Sequence, residues 1–231
     1  MKIYAISDLH LSTNCDKPMN IFGPVWDNYL DKVEKDWNDK VGHDDLVLIA
    51  GDVSWAMHLE DAYADLDYIA SLPGKKVILR GNHDYWWKSI SELRANLKPN
   101  MFAVQNDAIR FENAVVCGSR GWTVPEKEHK TPEDEKIYNR ELIRMELSLK
   151  SAIAQKQDGD KMVVMIHYPP FNSKLEDSEF TRLFEKYGVD KVVYGHLHSY
   201  DKKGKLYLNK NGIDYYLTSC DLTENTLIEI L

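Results

Sequence analysis

The sequence predicts an α/β domain containing two sheets. Three observations carry that expectation. Short runs rich in Val and Ile recur along the chain, segments of helical periodicity lie between them, and the last quarter turns to hairpin chemistry.

The runs KIYAI, LVLIA, KVIL, AVVCG, MVVMI and KVVYG read as strands. Each is short and nearly continuous in apolar residues, which predicts burial on both faces.

Helical stripes separate these runs. Trp26, Tyr29, Leu30, Val33 and Trp37 share one face. Leu59, Tyr63, Leu66 and Ile69 do the same, as do Phe180, Leu183, Phe184 and Tyr187. These stripes are expected to pack in the core. The stretch from Thr131 to Gln157 is long, charged and helix-forming, with most of its charges on a solvated face.

In KLYLNKNGIDYYLTSC, Asn211-Gly212 stands between two β-rich runs and predicts a hairpin. TLIEIL then alternates as a final strand. No repeat, low-complexity tract or clear linker interrupts the chain, so residues 1–231 are expected to form one domain.

Composition narrows the function. The net charge is −8 and the pI is near 5.5. That balance argues against a general nucleic-acid binder, which carries a basic footprint. Three cysteines with no CxxC make a disulfide framework unexpected. The chain shows no run of membrane-spanning length and no signal-peptide pattern, so a soluble cytoplasmic protein is expected.

The strand ends carry the chemistry. KIYAI runs into Asp8 and His10. LVLIA ends in Gly51-Asp52, and KVIL in Gly81-Asn82-His83-Asp84. MVVMI ends in His167, and KVVYG in His196 and His198. Open α/β sheets place their sites at these ends. The one-residue gaps in Asp8-x-His10 and His196-x-His198 would aim both side chains one way from an extended strand end. Gly51, Gly81 and Gly195 permit tight turns and close backbone approach. Five of the eight histidines sit in these positions, while His43, His58 and His129 do not.

The ordered set D-x-H, GD, GNHD, H and GHxH resembles the calcineurin-like metallophosphoesterase superfamily. The motifs run from Asp8 to His198. The resemblance implies a four-layer α-β-β-α sandwich with two mixed β-sheets and a metal site at the C-terminal ends of the strands. It implies two divalent metal ions. Asp8, His10 and His198 would hold the first, and Asn82, His167 and His196 the second. Asp52 would bridge them. Two carboxylates against two divalent ions leave a positive centre, which suits a phosphate ester. The implied reaction is phosphohydrolysis of mono- or diesters by in-line attack of a metal-bridging hydroxide, with the metals about 3.5–4 Å apart. His83 resembles the family histidine that stabilises the phosphoryl oxygen or protonates the leaving alkoxide. Asp84 is a catalytic candidate that would orient His83 or another neighbour, or alternatively cap the next helix. Imidazole, carboxylate and amide ligands suit Mn, Fe, Zn or Co, and Mn is favoured.

Departures from subfamily patterns narrow the substrate. The family's protein phosphatases carry GDxxDRG and GNHE, whereas this chain has GDVSWAM and GNHDYWW. Its lipid A precursor pyrophosphatases have Arg where His83 stands. Arg120, in CGSRGW, is the leading candidate for a phosphate anchor, although a surface ion pair is the alternative. Arg80, Trp55, Trp86, Trp87 and Trp122 are further candidates for phosphate or substrate contact, against core packing for the tryptophans. The 119–145 segment, including His129 and Arg140, is a candidate cap. The expected partner is a phosphate-ester small molecule or nucleotide rather than nucleic acid or a membrane. A metal-dependent nuclease and a non-catalytic scaffold on the same fold are the alternatives.

Overall fold

The computed structural model describes residues 1–128, 131–198 and 205–231. His129 therefore lies outside the described residues.

The first half alternates strand and helix. β1 (Ile3–Ile6) leads through two 3-10 turns to α1 (Tyr29–Lys40), β2 (Leu46–Ile49), α2 (Leu59–Ser71), β3 (Lys75–Leu79), α3 (Ile90–Asn96) and β4 (Met101–Val104). β5 (Ala108–Phe111) and β6 (Ala114–Ser119) then form a hairpin. They are followed by α4 (Pro132–Gln155), β7 (Lys161–Ile166), α5 (Glu179–Lys186), β8 (Lys191–Tyr194), β9 (Tyr207–Lys210), β10 (Ile213–Leu217) and β11 (Ile228–Glu229).

Two mixed sheets result. One has the order β11-β1-β2-β3-β4, and the other β5-β6-β7-β8-β10-β9. β1 to β4 are parallel, with β11 antiparallel at the edge. β6, β7, β8 and β10 are parallel, flanked by antiparallel β5 and β9. The predicted hairpin forms, with positive φ at both Asn211 and Gly212 as a type I′ turn requires. The last quarter is nevertheless only partly antiparallel, because β10 lies parallel to β8.

The layers follow from the two-residue period of the strands. Ile3, Leu46, Leu48, Val77, Val116, Val163 and Val193 pack between the sheets. Tyr4, Val47, Ile49 and Ile78 face the other way, against Val33 and Trp37 of α1 and Leu66 of α2. Val115, Met162, Val164 and Val192 face Met145 and Leu149 of α4 and Phe180 of α5. This is the four-layer sandwich.

Some local expectations shift. Trp26 is buried, but it sits in a 3-10 turn ahead of α1. β4, β5 and α3 were not legible, being segments of only four, four and seven residues. Thr131 caps α4, accepting the N–H of Asp134 at 3.1 Å. Residues 132–145 belong to α4, whose Tyr138, Met145 and Leu149 are buried against the second sheet.

The two sheets meet at one seam. Ser7 N–H donates to Thr218 O at 2.8 Å, and Cys220 N–H to Ser7 O at 3.0 Å. The C-terminal ends of β1 and β10 are thus stitched in parallel. The parallel strands of both sheets deliver their ends to this seam.

Candidate metal centre

The polar residues at the strand ends converge. Asp8, Asp52 and His167 are buried, and their ligand atoms lie within 4.8 Å of one another. Asp8, His10 and His198 form a second such group. His167 Nε2 and His196 Nδ1 stand 2.7 and 2.8 Å from Asn82 Oδ1. Asp52 Oδ2 lies 3.5 Å from His167 Nε2 and 3.8 Å from His10 Nε2. All seven residues expected as ligands therefore meet in one place, from both sheets.

The backbone there is not extended strand. Asp8, His10, Asp52 and His196 all have positive φ, at 58°, 48°, 51° and 71°. Such values are uncommon for residues with a Cβ and are a form of strain that gathers at functional sites. The paired aim of Asp8 and His10 therefore comes from left-handed turns, not from strand alternation. Parallel pairing continues past the strands and holds these turns: Asp8 N–H donates to Gly51 O and His10 N–H to Asp52 O, each at 3.0 Å.

Glycines make the room. A Cβ on Gly81 would collide with the Asp52 carboxylate, and one on Gly195 with the Asp8 carboxylate and the Ser7 hydroxyl.

The electrostatics suit a cation. Burial pushes the Asp8 carboxyl up. Burial is the largest single influence on Asp52 too, but the His167 and His10 rings and the His83 N–H together outweigh it and hold that carboxyl low. His167 itself is pushed down by burial and lifted further by Asp52, to about 9. Burial lowers His10 and His196 to about 3, so both rings are neutral and offer lone pairs. The His10 ring is buried, its Nδ1 has no partner, and it makes no hydrogen bond among the described residues. Buried carboxylates, neutral imidazoles and a ring without hydrogen bonds fit a metal centre built from oxygen and nitrogen donors.

Four contributors were missed in the sequence. Ser7 Oγ and Ser219 Oγ donate to Asp8 Oδ2 at 2.6 and 2.8 Å. Asp221 Oδ1 lies 3.2 Å from His198 Nδ1 and orients that ring. The Tyr168 ring packs 4.2 Å from His196. The signal was present for Ser219 and Asp221: TSCD follows β10 just as the motif residues follow their own strands.

The remaining candidates separate. His83 is half-buried beside Trp55, with ring centroids 4.5 Å apart, and burial lowers its pKa. Trp55 also stacks on His10 at 4.7 Å. Asp84 is fully buried and reaches neither the His83 ring nor a helix start. It accepts N–H groups from the two neighbouring loops, and Ser89 caps α3 instead. Trp86 and Trp87 are core residues. Trp122 packs against Tyr168, at 5.1 Å. Arg80 and Arg120 turn their side chains toward α4 and line a different cavity from the one over the cluster.

That cavity over the cluster has a volume of about 480 Å³. His10, Asp52, His83, His196 and His198 form its floor, and Met19, Phe22, Trp26 and Trp55 form an apolar wall.

The family model for calcineurin-like phosphoesterases matches residues 1–200, which include every motif residue. The chain belongs to the calcineurin-like phosphoesterase family. This phosphoesterase is a metal-dependent enzyme, and the two residue groups above are its candidate ligand sets. No curated protein matches the sequence. Among solved structures, it resembles phosphopantetheinyl hydrolase from Mycobacterium tuberculosis, with a TM-score of 0.59 at 15% identity, covering 100% of this chain and 95% of that one. It also resembles a protein of unknown function from Aquifex aeolicus, with a TM-score of 0.51 at 15% identity, covering 99% of this chain and 95% of the other. Both likenesses concern the fold. Among the described residues, no helix of the phosphoesterase is long and apolar enough to cross a membrane.

Proposed function

We propose that this phosphoesterase hydrolyses phosphate mono- or diesters of small molecules or nucleotides at a centre of two divalent ions. Asp8, His10 and His198 hold one ion, Asn82, His167 and His196 the other, and Asp52 serves both. The observation that carries this reading is the position of Asp52 Oδ2 between His167 Nε2 and His10 Nε2, one from each ligand set. When bound, the ions supply Lewis acidity and a nucleophilic water at neutral pH.

The chain's own residues supply the rest. Asp52 Oδ1 accepts the His83 N–H at 2.8 Å, which ties the bridging carboxylate to the catalytic histidine's backbone. The His83 ring faces the cavity, and burial lowers its pKa below the usual histidine value. Its ring N–H donates to a phosphoryl oxygen or to the leaving oxygen. Trp55 lies against both His10 and His83, and the two imidazoles also meet edge to face with centroids 5.7 Å apart. Asp84 acts through the loops and is a positioning residue.

The apolar wall of Met19, Phe22, Trp26 and Trp55 supports an ester whose organic part is apolar or aromatic. The acidic net charge favours a small substrate over a nucleic acid. The donor set favours Mn, with Fe, Zn and Co as the other candidates. Free Cys15, Cys117 and Cys220 support a reducing, cytoplasmic setting.

The test uses metal-stripped protein with Mn, Zn, Fe, Co or Mg restored singly. Chromogenic mono- and diesters, nucleotides and a phosphopantetheinyl ester form the substrate panel. Metal-dependent turnover that disappears in Asp52→Asn is expected. Turnover that survives this substitution refutes the bridging role, and none with any metal refutes the proposed substrate classes.

A further inference from the structure

A second cavity, of about 240 Å³, lies between the ends of β3, β4 and β6 and the first half of α4. Arg80, Arg120, Arg140 and Arg144 line it around one acid, Glu141. Glu141 is buried, and its Oε1 accepts from Arg144 at 2.6 Å. Arg120 and Arg140 stand 3.9 Å from the same oxygen, beyond hydrogen-bond reach. Among the described residues, the Arg80, Arg120 and Arg140 guanidiniums make no hydrogen bond, and Arg80 Nε is buried without a partner. Gln105 and Asn106 complete the polar wall.

This charge balance is incomplete. Four guanidiniums against one carboxylate leave a surplus of positive charge in a partly enclosed space. Asp84, the other acid near Arg80, already accepts five N–H groups. A cluster built only for stability would pair its charges, because like charges held together cost free energy. Guanidinium forks match the oxygens of phosphate.

We infer that the Arg80–Arg120–Arg140–Arg144 cavity is a second anion site, built to take a phosphate group. It shares no lining residue with the cavity over the metal ligands. It is close to them all the same. His167 N–H donates to Arg120 O at 3.0 Å. A strip of rings links the two sites: Arg120 lies 5.1 Å from Trp122, Trp122 5.1 Å from Tyr168, and Tyr168 4.2 Å from His196. The phosphate comes either from a substrate that carries two or from free inorganic phosphate. The anion site does not depend on the reaction proposed above.

The experiment compares the metal-loaded full chain with its Arg140→Gln/Arg144→Gln variant. Inorganic phosphate is titrated by calorimetry, and melting is followed with and without it. Phosphate held at the metal ligands survives in both proteins, so the difference reads the arginine cavity. The variant is expected to lose one binding event, or to bind there about tenfold more weakly or worse, and to lose the matching rise in Tm. Without phosphate the relief of repulsion is opposed by the loss of the Arg144 partner of buried Glu141, so the rise in Tm that phosphate brings, not the absolute Tm, is compared between the two proteins. Equal phosphate binding in the two proteins overturns the site. So does a variant that melts earlier while keeping the full phosphate response, since the arginines would then be structural. A KM increase confined to esters with two phosphates assigns the site to substrate, and unchanged KM values alongside lost phosphate binding assign it to the free anion. If no ester is hydrolysed, the phosphate titration still decides.

Discussion

The Asp84 carboxylate accepts the backbone N–H of Asp52 at 2.9 Å through Oδ2. The same carboxylate binds four more donors. Oδ2 also takes Gly81 N–H at 2.7 Å, while Oδ1 takes Val53 and Ser54 N–H at 2.9 and 3.2 Å and Trp86 Nε1 at 3.1 Å. One buried group thereby locks the loop after β2, which presents Asp52, to the loop after β3, which presents Asn82 and His83. Burial pushes the Asp84 carboxyl up toward about 7, as does the Asp52 charge, and the N–H donors oppose both.

Asp84→Asn would turn an NH₂ group against N–H donors that need an acceptor. We expect a stability loss of about 2 kcal/mol, because buried polar groups lose their partners. The drop in turnover should fall mainly on kcat, since Asp84 does not line the cavity over the cluster. Urea unfolding and steady-state kinetics read the two effects. Wild-type kcat in a folded variant would show that the loops hold without Asp84.

Gly195→Ala and Gly81→Ala should separate the two proposed metals. The first places a methyl against Asp8, proposed to hold one ion, and the second against Asp52, proposed to serve both. Metal analysis of purified protein is expected to show one ion lost in Gly195→Ala and both in Gly81→Ala. Full occupancy in both variants would mean that the carboxylates have room to move.

His83→Ala should lower turnover about 10²-fold or more, the usual loss of a hydrogen-bond donor to the charge that develops on the reacting oxygens. Bound metal should stay at the wild-type level, because His83 belongs to neither ligand set. Metal analysis beside ester hydrolysis measures both, and a loss of metal would make His83 a ligand instead.

Lys76 lies in β3 and is buried. Its Nζ donates to the carbonyls of Ala70 and Gly74 at 3.1 and 3.0 Å, and to that of Leu72. A cation thus satisfies the C-terminal end of α2, where the helix dipole favours positive charge. Lys76→Met fills similar volume and removes the donors. We expect a loss of about 2 kcal/mol in urea unfolding, with wild-type kcat in the folded protein. An unchanged midpoint would show that these carbonyls are satisfied without the lysine.

Much of the centre was legible because its signals are local. Strands announce themselves by short β-branched runs such as LVLIA and MVVMI, whose burial on both faces needs apolar residues at every position. Polar residues directly after such runs stand out, and five runs carried them. Asn211-Gly212 encodes its own turn, since both residues tolerate positive φ. The ordered motifs pointed to the family from these positions alone.

Other features depend on residues far apart in the chain, which no local window contains. Asp8 accepts the His196 N–H, 188 residues away, only because the ends of β1 and β8 come together at the seam. The left-handed turns at Asp8, His10, Asp52 and His196 are conformations that residues with a Cβ disfavour, so only surrounding contacts impose them. Asp84 looked like a helper of His83 by adjacency, and became a tie between loops because Asp52, Val53 and Ser54 pack against it. The four arginines lie at the ends of two strands and along one helix, and their charges form a cluster only where those elements meet. The sequence by itself determined which side chains stand at the strand ends. The closure of two sheets decided which of them meet, because contact between distant residues is set by topology and packing rather than by local pattern.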